Sequence, residues 1–301
     1  MKSLKHPFLA VLLALVAFSA KAQDYAFKVL ANKGHNEVKS GDAWLPIKTG
    51  VSLQKEDEIK LASNAYLGLV HQTGKPLELK EPKVYKVSDL INNIKGGSSV
   101  ITKYTDFILS SNSAEAKKNR LSATGAVDRG EKSDINVILP ANQHSAIFNN
   151  SAIVSWDGTE APGPYKVTIK NMFDDVVASY ETPETSFKVD LADPKVAKET
   201  AIIVEVTSKT DKTAKSRTHL IKKLSSSDHD NVKKSLDQIL NEISEPTALN
   251  KIILAGFYEE NKLLIDAITA YEEAIKLAPD VPAYQEAFDE FLHRHDIKKI
   301  Q

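Results

Sequence analysis

The chain has 301 residues with 42% hydrophobic and 26% charged side chains, a composition that argues against extended disorder and whose length suits two or three domains. Its formal net charge of -1 provides no overall attraction to nucleic acid. The absence of cysteine excludes disulfides, thiolate metal sites, a cysteine nucleophile and lipid attachment at cysteine.

Residues 1–22 have the pattern of a secretory signal peptide. Lys2 and Lys5 form a basic start, residues 8–18 are apolar, and Ala20 and Ala22 fit the small-x-small cleavage pattern. The alternative is a membrane anchor, but this apolar stretch is shorter than the roughly 20 residues that a spanning helix needs. We therefore expect cleavage after Ala22 and an exported protein, periplasmic or associated with the outer envelope, without a transmembrane span.

The next segment, residues 23–95, is predicted to be a small all-β domain. Alternating apolar and polar residues predict strands at 25–30, 58–61, 65–71 and 77–80. A near-match to a phosphate-binding loop runs from Gly68 to Lys75, but its spacing is wrong and Pro76 replaces the required Ser or Thr. We interpret this stretch as a hairpin turn between the last two strands.

This segment also resembles the FecR-type β domain, over about 70 residues. The resemblance implies a β fold that is shared with a regulator which relays a signal to a cytoplasmic sigma factor. The matching residues are Val38, Trp44, Leu45, Gly50, Leu53, Asp57, Ile59, Leu67, Leu69, Gly74 and Leu77.

Residues 96–133 are predicted to hold a helical segment and a linker. Just before them, Ser88 and Asp89 are candidate caps of a short helix that ends at Gly96-Gly97, and Ser98 or Ser99 is the candidate cap of a second helix. Residues 110–132 are polar and read as a linker or a segment packed between domains. The basic patch there is too small for strong phosphate binding, so we expect no nucleic-acid partner. Its residues are Lys117, Lys118 and Arg120.

Residues 134–224 are predicted to form a β-sandwich. Strands are expected at 135–139, 152–156, 165–170, 176–180, 186–191, 202–206 and 219–223. Trp156 is expected in the core, and the absence of cysteine favours a fibronectin-like over an immunoglobulin-like sandwich. We interpret Asp174 and Asp175 as part of a hairpin turn rather than as paired catalytic carboxylates.

Residues 225–301 are predicted to be helical. Asp228 is the candidate cap of the first helix, Pro246 its stop, and Pro282 the first turn of the fourth helix. Residues 248–281 resemble a tetratricopeptide repeat, in which small residues let two helices cross closely. Lys262 stands where the family often has Gly. The matching residues are Leu254, Ala255, Tyr258, Ala267, Tyr271, Ala274 and Pro279.

Two histidine-containing clusters are candidate metal sites. His293 and His295 are two positions apart on a helix and do not face each other, so we interpret them as a solvated helix end. His229, between Asp228 and Asp230, is better explained by a helix cap. We predict no catalytic residue, no cofactor and no metal, and hence a protein that is not an enzyme.

The last helix carries an amphipathic aromatic stripe, which either packs in the core or binds a partner peptide. The sequence thus predicts a multi-domain β plus α protein that acts as a non-catalytic envelope adaptor for a protein partner. The alternative is a glycan or peptidoglycan sensor that uses aromatic residues such as Tyr165 and Tyr180. The whole arrangement resembles exported proteins of Bacteroidetes-type bacteria. The predicted partner-binding residues are Tyr258, Tyr284, Phe288 and Phe291.

Overall fold

The computed structural model describes residues 25–96, 99–111, 113, 134–243 and 245–298. The predicted signal peptide and the basic patch of the predicted linker lie outside these residues. Within them the chain forms four β-sheets and six α-helices, so the expected mixed β plus α architecture is confirmed. No helix in this part of the chain is both long and apolar enough to cross a bilayer.

The N-terminal part consists of two four-stranded antiparallel sheets, ordered β4-β1-β6-β7 and β3-β2-β5-β8. Alternating side chains of both sheets meet in one core, which includes Phe27, Leu69 and Ile59. The strands are β1 (Phe27–Lys33), β2 (Glu37–Ser40), β3 (Ala43–Pro46), β4 (Ser52–Leu53), β5 (Glu58–Lys60), β6 (Tyr66–His71), β7 (Pro76–Leu79) and β8 (Val84–Lys86).

The predicted hairpin turn between β6 and β7 is confirmed. Leu67 pairs with Leu79 and Leu69 with Leu77, and Gly74 takes the positive φ of 90° that the turn requires. The capping prediction for the next helix is wrong. Helix α1 (Val87–Asn92) follows β8 directly, so Ser88 lies inside the helix and Lys86 occupies the cap position without a side-chain bond.

Helix α2 (Ser99–Ser111) is confirmed, and it extends into the predicted linker, because Ser110 and Ser111 are helical. It packs against a C-terminal helix rather than standing alone. A Cβ added at Gly256 would come within 2.8 Å of Ile108 Cδ1, which shows how closely the two helices approach.

The middle segment contains two sheets with a shared core, a five-stranded sheet ordered β10-β16-β15-β12-β13 and a three-stranded sheet ordered β14-β11-β9. All seven predicted strands are present, and Trp156 is buried as expected. Asp174 lies in the β12–β13 turn with a φ of 69°, which confirms the hairpin interpretation. The strands are β9 (Asn136–Val137), β10 (Ala146–Ile147), β11 (Ser151–Asp157), β12 (Tyr165–Lys170), β13 (Val176–Thr182), β14 (Ser186–Asp190), β15 (Ala201–Ser208) and β16 (His219–Lys223).

The C-terminal part holds four helices, α3 (Ser226–Leu240), α4 (Ala248–Glu260), α5 (Leu264–Leu277) and α6 (Pro282–Arg294). Pro282 begins α6 as predicted, because its missing N–H needs no partner there. Helix α3 is capped by Ser225 and not by Asp228. The Ser225 hydroxyl oxygen accepts the Asp228 N–H, and the helix ends before the predicted stop at Pro246.

Helices α4 to α6 contact both β parts. Helix α5 packs against β10 and β11, while α4 and α6 pack against β7 and β1. The alanines at the α4–α5 crossing, Ala255, Ala267 and Ala274, are fully buried. The core of the helices is therefore continuous with that of the middle sheets and reaches Leu30 and Tyr66 of the N-terminal sheet.

Candidate functional site

The four aromatic residues predicted to bind a partner are all buried. Phe288 and Phe291 pack on Tyr271, with ring centroids 5.5 and 5.2 Å apart, and the Tyr284 hydroxyl lies against that of Tyr66. These rings pack in the core of the protein. Core packing was one of the two interpretations of the aromatic stripe on the last helix. Tyr258 differs, because one side of it borders a cleft.

This cleft, which we call the α4–β14 cleft, has a volume of about 510 Å³. Helices α4 and α5 form one wall, and the start of β11 and strand β14 form the other. Its lining residues are Asn149, Asn150, Ser151, Lys188, Asp190, Lys251, Leu254, Tyr258, Asp266, Thr269, Ala270 and Glu273.

Helix periodicity explains the α4 wall. Lys251, Leu254 and Tyr258 are spaced three and four residues apart and therefore lie on one face of the helix. Strand periodicity explains the opposite wall, because Lys188 and Asp190 are two residues apart and lie on the same face of β14. Both β14 residues are exposed.

Asp266 joins the two walls at the bottom of the cleft. Its carboxylate accepts the backbone N–H groups of Phe148 and Asn149 at 2.8 and 2.9 Å, and the Asn149 side-chain amide at 2.8 Å. That amide also donates to the Tyr258 hydroxyl at 3.0 Å. Burial raises the pKa of Asp266 to about 6, although the three N–H donors oppose this shift.

Helix α5 also covers the side of β11 that does not pair with β14. The Thr269 hydroxyl accepts the Ile153 N–H at 3.0 Å, so a side chain replaces a neighbouring strand. One turn further on, the Glu272 carboxyl lies near Ser155, and burial raises the pKa of Glu272 to about 7. Its second oxygen, Oε2, has no hydrogen-bond partner among the described residues.

The charges at the mouth of the cleft are partly paired. Lys251 Nζ lies 2.5 Å from Glu273 Oε2, which ties α4 to α5. Lys188 and Asp190 have no ion-pair partner in the part of the chain that the structure describes. The deep polar groups of the cleft thus hold the chain together, whereas the two charges on β14 stay available to a ligand.

The histidine clusters do not form a metal site. Within the described ranges, no three His, Asp or Glu side chains converge as ligands. The His229 ring stacks on Phe148 with centroids 4.4 Å apart. His295 is not solvated as predicted, because its Nε2 lies 2.9 Å from the buried Glu259 carboxylate, which also accepts two bonds from Arg294.

The aromatic residues named for glycan binding pack against other aromatic rings of the sandwich. Tyr165 is buried against Trp156, with ring centroids 5.2 Å apart. Tyr180 is half-buried on Phe187, and its hydroxyl donates to Asp193 at 2.8 Å.

Sequence reasoning missed Asp266, Thr269 and the whole cleft. One signal was present, because Asp266 and Thr269 form a polar pair, three residues apart, within the otherwise apolar stretch 263–271. Such a pair on a buried helix face requires hydrogen-bond partners from another element.

No protein-family model matches the chain, and no curated protein matches it.

Proposed function

We propose that this protein is a non-catalytic, exported adaptor of the bacterial envelope that binds a protein partner through its C-terminal helices. The partner occupies the α4–β14 cleft, against the face of α4 that carries Lys251, Leu254 and Tyr258. Export rests on the signal-peptide pattern of residues 1–22.

The proposal rests on a difference between the polar groups deep in the cleft, which hydrogen-bond to the protein itself, and the charged side chains of β14 at its mouth, which have no ion-pair partner among the described residues. Its deep acid and hydroxyl, Asp266 and Thr269, are engaged by N–H groups of the opposite wall. Its mouth offers apolar Leu254 beside charged Lys188 and Asp190. A mostly polar cleft with one large aliphatic side chain and charges of both signs suits a polar, charged peptide segment of another protein.

The three parts of the chain correspond, in this proposal, to a FecR-like β domain, a fibronectin-like sandwich and a tetratricopeptide-like helical domain. The buried alanines of the α4–α5 crossing support the repeat. So does Lys262, whose φ of 61° explains why the repeat family often has Gly at that turn. In this account both β domains hold the helices in place by direct contact.

A blocked cleft tests the proposal. Tagged protein beginning at residue 23 is used to capture proteins from the envelope fraction of its host. Asn150→Trp fills the cleft, while Glu184→Trp adds the same ring at an exposed turn outside it. We expect a protein that is retained by the wild type and by Glu184→Trp and lost with Asn150→Trp.

Two results would overturn the proposal. One is that the Asn150→Trp variant retains the same captured protein as the wild type. The other is retention of purified cell-wall fragments in place of a protein, which would favour the glycan-sensor alternative.

A further inference from the structure

Strand β14 is an outer strand with unpaired backbone groups. Leu191 donates its N–H to Asn150 O, and Trp156 donates to Thr185 O, so the odd-numbered residues of β14 face β11. Ser186, Lys188 and Asp190 therefore direct their backbone groups away from the sheet. Among the described residues, the N–H and C=O groups of Ser186 and Lys188 have no hydrogen-bond partner.

This edge also carries two opposite charges that lack counter-ions within the described chain. Lys188 and Asp190 are exposed and lie on the same face of the strand. One oxygen of Asp190, Oδ1, accepts the Ala192 N–H at 2.8 Å, which fixes the carboxylate beside the strand and leaves Oδ2 for another donor.

We infer that β14 pairs antiparallel with β14 of a second copy of this chain, about a two-fold axis at Val189. In this register Lys188 lies opposite Asp190 of the second copy, and symmetry repeats the contact. The opposed residues are the ones whose backbone groups point outward, so each pair exchanges both N–H···O bonds. The Asp190 C=O already accepts the Asp193 N–H at 3.4 Å and uses its second lone pair for the new bond.

Electrostatic repulsion disfavours the nearest alternative register, in which the two-fold axis lies at Lys188. A two-fold axis at Lys188 would place two Lys188 side chains opposite each other, where like charges repel. With the axis at Val189, each lysine instead meets an aspartate. The pairing also removes an exposed strand edge, which otherwise invites uncontrolled association.

The dimer has a consequence for the cleft. An antiparallel pair about this axis joins two three-stranded sheets into one six-stranded sheet, with equivalent faces on the same side. Lys188 and Asp190 line the cleft, so the two α4–β14 clefts open side by side across the two-fold axis. Lys188 and Asp190 are then paired across the axis, so each of the two docking sites in the assembly relies on the α4 face that carries Lys251, Leu254 and Tyr258.

The test uses sedimentation equilibrium on the chain beginning at residue 23. We expect the wild type to dimerise at micromolar concentration. Lys188→Asp and Asp190→Lys each place like charges opposite at both symmetric contacts and weaken the dimer about tenfold or more. Lys166→Asp, a charge reversal on the inner strand β12, leaves the dimer unchanged.

The decisive experiment mixes the two single variants, Lys188→Asp and Asp190→Lys. In a heterodimer of Lys188→Asp with Asp190→Lys, every charge again meets its opposite, so the mixture should dimerise as tightly as the wild type. Because each variant must be folded to pair, this arm also controls for misfolding. A monomeric wild type, a dimer that tolerates both reversals, or a mixture that stays monomeric would overturn the inference.

Discussion

The hydroxyl oxygens of Tyr66 in β6 and Tyr284 in α6 lie 2.6 Å apart in a buried contact between the N-terminal sheet and the last helix. The Tyr66 hydroxyl also lies near the Glu78 carboxylate, which accepts the Leu249 N–H at 3.1 Å. This short chain of polar groups connects β6 and β7 to both α4 and α6. It fixes the N-terminal sheet on the helices.

The two tyrosines should not be equivalent in stability measurements. Tyr284→Phe removes one hydrogen bond and leaves the Tyr66 hydroxyl with the Glu78 carboxylate nearby, so we expect a loss of about 0.5–1.5 kcal/mol. Tyr66→Phe leaves the Tyr284 hydroxyl buried without a partner and should cost about 1–3 kcal/mol. Urea unfolding of both variants and the double variant measures this; equal and additive losses would contradict the hydrogen-bond chain.

Glu272 should make the native state more stable as the pH falls. Burial raises its pKa to about 7 in the folded chain, from 4.5 as the ordinary value, so between these values the folded state binds the proton first. Glu272→Gln removes the buried charge. We expect it to raise the unfolding free energy by about 1–3 kcal/mol at pH 8, and most of this gain to be lost by pH 5, close to the ordinary pKa of the carboxyl in the unfolded chain.

The neighbouring residue provides the control for this pH dependence. Glu273→Gln breaks the ion pair with Lys251, and it should lower the unfolding free energy by at most about 1 kcal/mol, without a gain at pH 8. Chemical unfolding of each variant across pH 5 to 8 measures the difference. An equal effect of Glu272→Gln at both ends of this range would show that its carboxylate is not held in a desolvated position.

Lys262→Gly should stabilise the turn between α4 and α5. Lys262 has a φ of 61°, where a side chain is strained and glycine is not. We expect a gain of about 0.5–1 kcal/mol in thermal or urea unfolding. Lys276→Gly, at a position inside α5, should instead lose about 1 kcal/mol. A loss in both variants would show that the turn is not strained.

Ala267→Leu should destabilise the helices through overpacking. Ala267 is fully buried where α4 and α5 cross, and extra methylenes in such a core cost about 1–3 kcal/mol. Ala283→Leu, at a partly buried position of α6, should be tolerated better. An unchanged melting profile of Ala267→Leu would contradict the close helix crossing.

Elements of regular period could be predicted from the sequence. The bounds of β12 (Tyr165–Lys170) and β16 (His219–Lys223) are as expected, because alternation and turn residues act locally. The N-cap of helix α3 was harder to predict. Ser225 and Asp228 are both good capping residues, and the local sequence does not decide which of them begins the helix. The chain uses Ser225, with Asp228 in the first turn.

The cleft could not be predicted, because its walls come from segments far apart in the chain. Asn149 and Asp266 are 117 residues apart, and nothing in local periodicity brings them together. The aromatic stripe of α6 shows a second limit of prediction from the sequence. Its spacing identified a helix face correctly, but burial of Phe288 and Phe291 depends on Tyr271 of another helix.

A photo-crosslinking side chain placed in the cleft tests the central claim most directly. Benzoylphenylalanine replaces Leu254, which borders the cleft, or Leu277, which is exposed at the end of α5 outside it. After irradiation of host cells that produce these variants, we expect a discrete protein adduct from position 254 and none from position 277. Absence of an adduct at position 254, or the same adduct from both positions, would contradict that claim.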